Sequence, residues 1–69
     1  MKWAVCVAND DHKASLEVRK IYRVLSDRKG EGLGLIRVVD ESGEDYLYPA
    51  DLFETIAVAP PLERKLKRA

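Results

Sequence analysis

One cysteine, one histidine and one tryptophan are all that this chain of 69 residues holds of three residue types that small domains often rely on for chemistry and stapling. A lone Cys6 excludes an internal disulfide. Secreted domains of this size usually depend on disulfides or a metal, so a reducing, cytoplasmic setting is expected. With only Cys6 and His12 available, a Cys–His pair is the one nucleophilic arrangement conceivable, and Cys6 lies inside the apolar run Trp3 to Ala8, where a thiol packs as an inert core residue. Long hydrophobic runs are missing as well. Lys2 precedes six apolar residues before Asn9-Asp10-Asp11 stops them, too few for a signal peptide or for a membrane span of about 20 residues. Ala4-Val5-Cys6 has the form of a lipoprotein cleavage site but lacks the hydrophobic segment before it. A net charge is absent too: 12 basic and 12 acidic side chains cancel, so no global attraction to nucleic acid or anionic lipid follows.

What is present is a folding composition. Hydrophobic residues make up 46% and charged residues 35%, too apolar for disorder and too polar for a membrane protein. There is room for one domain, which at this size buries roughly 60% of its unfolded surface. Trp3 to Ala8 predicts a strand, Asn9 to Ser15 a polar loop, and Leu16-Glu17-Val18 a short extended piece. Lys20 to Leu25 predicts a second strand. A helix over 16–25 would align Leu16, Lys20 and Val24, but the β-branched and aromatic content favours the strand. Ser26 to Gly30 closes it, and Gly30, Gly32 and Gly34 predict a flexible connection. Leu35 to Val39 and Asp45 to Tyr48 predict a hairpin around Ser42-Gly43, with Gly43 supplying a positive φ. Pro49 has no ladder donor, so Pro49 to Leu52 predicts one 3₁₀ turn before a last strand, Phe53 to Val58. Pro60-Pro61 then separates residues 1–59 from a basic tail, residues 60–69. The tail pairs Glu63 with Lys67 and sets Leu62 and Leu66 on one face. It is too short to be a helix by itself in water, so it frays unless those leucines dock.

This order of elements, and the segment Tyr46 to Ile56 above all, resembles the SH3-like small barrels. The resemblance implies an all-β, five-stranded barrel with a 3₁₀ turn before its last strand and a short helical tail. It implies a core of Tyr48, Phe53, Val38, Val24, Ile36 or Leu35, and Val5 or Val7. It does not imply the proline-rich ligand of the eukaryotic members, because Leu35 stands where they carry the ligand-binding tryptophan and their tyrosine-rich opening motif is missing. The chain also resembles small uncharacterised bacterial proteins with the segment DESGEDYLYP, here Asp40 to Pro49, a likeness that implies no activity.

The candidate sites follow from charge. Six acids and no base lie between Asp40 and Glu54, whereas six bases against two acids lie between His12 and Lys29, and the tail adds four more. A protein-interaction module or accessory protein is therefore expected, with Asp10, Asp11, Asp45, Tyr46, Pro49 and Asp51 as contact residues. The alternative is a nucleic-acid-binding barrel that holds phosphates with Arg19, Lys20, Arg28 and Lys29, with Tyr22 available for stacking. No catalytic residue is assigned and no cofactor is implied. Asp10-Asp11-His12 are adjacent and do not converge on one metal ion. Gly30-x-Gly32-x-Gly34 lacks the preceding strand and following helix of a phosphate loop.

Overall fold

Five short β-favouring segments set the frame, and the computed structural model describes them within residues 2–68. They are β1 (Lys2–Cys6), β2 (Ile21–Leu25), β3 (Leu35–Val39), β4 (Asp45–Pro49) and β5 (Phe53–Ile56). One 3₁₀ turn (Ala50–Leu52) joins β4 to β5; a five-residue helix α1 (Arg28–Gly32) lies between β2 and β3, and α2 (Pro60–Arg68) follows β5. All strands pair antiparallel in one five-stranded sheet of order β4-β3-β2-β1-β5. β4 and β5 are its edges.

The hairpin is centred as the sequence predicts. Val39 opposes Asp45 and Ile36 opposes Tyr48, and Gly43 takes φ +84° in the turn. Pro49 ends β4 opposite Leu35, where its missing donor costs least, and Ala50 N–H resumes with a 2.9 Å bond to Gly34 O.

Because side chains alternate along a strand, the register sorts the sheet into two faces. Ala4, Cys6, Tyr22, Val24, Ile36, Val38, Tyr48 and Phe53 share the core, with Leu16 and Leu52 added from the connections. Here the expected core needs one correction: Val5 is half-buried and Val7 is 51% exposed. Their places belong to Ala4 and Cys6, which stand opposite Tyr22 and Phe53 across the ladder. Two rings on neighbouring strands fill that volume, so the strand between them must present small side chains there. Trp3 falls on the opposite face, paired with Arg23.

Two connections also differ from the sequence reading. Leu16-Glu17-Val18 forms no strand; the stretch turns, with Leu16 N–H bonded to His12 O at 2.9 Å, and Leu16 is 1% exposed, plugging the core from the loop. Burying a leucine this fully contributes about 1.5–3 kcal/mol. The glycine-rich connection is likewise ordered at its start. Asp27 caps α1 by accepting Gly30 N–H at 2.8 Å, and Asp27 is held in turn by Arg37 Nε at 2.8 Å. Gly30 is buried, and a Cβ there would lie 2.6 Å from Leu47 Cδ2. The glycine permits this helix to sit against β4.

The tail is seated rather than free. α2 begins at Pro60, its first turn closed by Glu63 N–H on Ala59 O at 2.9 Å. Trp3 Nε1 donates to Glu63 Oε2 at 3.3 Å, Leu66 is half-buried and Leu62 stays exposed. Trp3, only 5% exposed, is the contact that docks it.

Candidate functional site

The long first loop and the β3–β4 hairpin are bound to each other by two tyrosine hydroxyls. Tyr48 donates to Asp40 Oδ2 at 2.6 Å and accepts from Ser15 Oγ at 3.0 Å. Tyr22 donates to Glu41 Oε2 at 2.5 Å and accepts Glu17 N–H at 2.8 Å. Each ring comes from the core and each hydroxyl reaches a carboxylate at its margin, which is how a buried tyrosine satisfies its polar end. Burial, and then the bond to Glu41, push the Tyr22 hydroxyl pKa well up. Asp40 is buried. Burial works to raise its pKa, but bonds from Ser42 and Tyr48 outweigh that and hold the carboxyl below the ordinary range. Lys20, and then Tyr22, lower that of Glu41; Lys20 Nζ lies 2.6 Å from its carboxylate.

The contact residues expected from sequence spread over one end and one edge of the domain. Asp10 and Asp11 are exposed, Asp11 at φ +67°. The chain just before them is bonded to the 3₁₀ turn that carries Asp51, through Val7 N–H and Leu52 O at 2.8 Å. His12, next along, sets its ring edge-on to Tyr48 at 5.0 Å between centroids, so the loop acids and Asp51 belong to hydrogen-bonded neighbours. Tyr46 and Pro49 are exposed on β4, with Tyr46 hydroxyl on Glu44 at 3.0 Å. Asp45 is engaged by Arg37 Nη1 at 3.0 Å.

The four bases named for nucleic acid separate. Arg28 and Lys29 sit on the first turn of α1. Arg19 and Lys20 line a cleft of about 920 Å³ on the sheet face opposite the core, together with Trp3, Ile21, Tyr22, Arg23, Val39, Asp40, Leu66 and Lys67. Register explains its composition. Trp3, Ile21 and Arg23 share that face; Val24 and Val38 pair on the core side, so Val39 turns outward; α2 supplies Leu66 and Lys67. Sequence reasoning grouped Arg23 with Arg19 and Lys20 in one basic stretch and set the tail bases, Lys67 among them, beside it, but Trp3, Val39 and Leu66 were not foreseen there. The alternation of β1 carries the one usable signal, since it sets Trp3 opposite in face to Ala4 and Cys6.

Cys6 is buried, its thiol bonded to Ala8 O at 3.1 Å, and burial raises its pKa. Among the described residues no group of three or more His, Cys, Asp or Glu side chains is placed to hold a metal, and no helix is long and apolar enough to cross a membrane. No protein-family model, curated protein or solved structure matches this chain.

Proposed function

We propose that this chain is a non-enzymatic SH3-like small barrel of the cytoplasm that serves as a protein-interaction module. The strand order, the hairpin register and the 3₁₀ turn before β5 support the barrel reading. The observation that carries the functional reading is the open cleft, whose apolar floor and basic rim suit a protein segment that brings both side-chain types. The exposed acidic end at Asp10, Asp11 and Asp51, with Asp45, Tyr46 and Pro49 along β4, offers a second polar contact surface.

Nucleic-acid binding is the alternative, favoured by the gathering of Arg19, Lys20, Arg23 and Lys67 around one cleft. It is the weaker reading because single-strand binders stack bases on exposed rings, whereas Trp3 and Tyr22 are buried. Titration with labelled single- and double-stranded oligonucleotides at about 0.15 M salt separates the two. The module reading expects feeble binding, together with a host protein captured by the wild type and lost on surface substitution. Micromolar oligonucleotide affinity, abolished by Arg28→Ala with Lys29→Ala or by Arg19→Ala with Lys20→Ala, would replace it with the nucleic-acid reading.

A further inference from the structure

We propose that the cleft between the outer sheet face and α2 binds a short acidic, amphipathic segment of a partner protein, with carboxylates on its rim and an apolar side chain on its floor. This inference rests on the interaction-module reading and names the partner's chemistry. Trp3, Ile21, Val39 and Leu66 make the floor, while Arg19, Lys20, Arg23 and Lys67 stand around it. The acids nearby are already engaged. Asp40 faces Tyr48 and Ser42, Glu41 holds Lys20 and Tyr22, and Glu63 receives Trp3 with Lys67 4.0 Å away. Among the described residues Arg19 and Arg23 enter no ion pair. Four bases thus line the cleft against one acid, Asp40, on a chain whose total charge is zero, and charge complementarity selects an acidic occupant.

Arginine is suited to this role because its planar fork takes a carboxylate through two parallel hydrogen bonds. The Arg19 backbone is held in place. It stands at φ +71°, uncommon for a residue with a side chain, and its N–H is tied to Cys6 O at 2.7 Å. The volume, about 920 Å³, lies within the roughly 300–1,000 Å³ of ligand pockets. That admits a few side chains of an extended segment rather than a second globular surface. A nucleic acid would meet the same bases without a ring to stack on.

The test uses the full chain and a fluorescein-labelled peptide of about ten residues alternating glutamate and leucine. Companion probes replace its glutamates with lysine or its leucines with serine, and an oligothymidylate of about 12 nucleotides stands for nucleic acid. The expected result is saturable binding of the Glu/Leu peptide at about 0.15 M salt, a change in Trp3 emission, and weaker binding of all three companions. Arg19→Glu with Arg23→Glu should weaken the peptide at least about tenfold, and Arg28→Glu with Lys29→Glu on α1 should leave it unchanged. Should the first pair fail to fold, Arg23→Gln with Lys67→Gln, both exposed, carries the same test. Absence of saturable peptide binding, an equal loss in the α1 variant, or tighter binding of the oligonucleotide would each overturn the proposal. So would a dimer in sedimentation that Arg23→Gln dissolves, since Glu41, Glu44 and Asp45 of a second copy would then be the occupant. If the peptide fails while a captured host protein is lost only on Tyr46→Ala with Asp51→Lys, the cleft assignment falls and the module reading stands.

Discussion

Replacing Tyr48 by phenylalanine removes one oxygen atom and should cost this domain a large part of its stability. The hydroxyl donates to Asp40 Oδ2 at 2.6 Å and accepts from Ser15 Oγ at 3.0 Å. Without it, a carboxylate in a residue only 7% exposed keeps Ser42 alone as partner. A hydrogen bond to a buried charge is worth about 1.5–3 kcal/mol, and the orphaned oxygen retains its desolvation cost. We expect Tyr48→Phe to lose about 2–3 kcal/mol, against a total of roughly 3–10 kcal/mol for a domain this size. The melting midpoint should fall by about 10–20 °C. Thermal and urea unfolding followed by circular dichroism measure the loss, and a double-mutant cycle with Asp40→Ala isolates the pair. The pH dependence has a definite sign. Asp40 has a folded pKa below its unfolded value, so its contribution is present above the unfolded value, near 3.9, and is lost as pH falls through the folded one. The gap between wild type and variant should thus be full at neutral pH and close under acid. A loss smaller than about 0.5 kcal/mol, or a cycle additive within that margin, would refute the reasoning.

Two further measurements probe elements that the sequence leaves ambiguous. Gly30→Ala places a Cβ 2.6 Å from Leu47 Cδ2, whereas Gly32→Ala meets nothing within 4 Å; the first should destabilise by about 1 kcal/mol and the second stabilise by up to about 1 kcal/mol in matched urea titrations. The reverse order would mean that α1 does not pack on β4. Truncation before Pro60 uncovers Trp3, so its emission should shift to the red and stability should fall by about 1–2 kcal/mol. Unchanged emission would mean that α2 does not cover the ring.

How far the fold was legible depends on whether a local pattern and a tertiary demand agree. Leu35 to Val39 and Asp45 to Tyr48 alternate about a glycine that needs φ +84°, and the hairpin follows directly. α1 was hidden because Gly30 and Gly32 weigh against a helix when read alone. Its signal was the capping pattern, Asp27 with Glu31 four residues on, whose carboxylate reaches back to Asp27 N–H at 3.4 Å. In β1 size misled. Cys6 is expected in the core and found there, but Val5 or Val7 looks like its companion, whereas the ring pair Tyr22 and Phe53 on the flanking strands requires Ala4. That demand comes from two other strands, so no window on β1 contains it.

The cleft was illegible for a related reason. Arg19, Lys20 and Arg23 are close in sequence, but Lys67 and Leu66 reach them only because α2 is seated on Trp3 through Glu63. Arg28 and Lys29, which a charge count groups with Arg19 and Lys20, are instead carried away on a capped helix. Summed charge is blind to this, because Glu41 is paired with Lys20 while Arg19 and Arg23 enter no ion pair among the described residues.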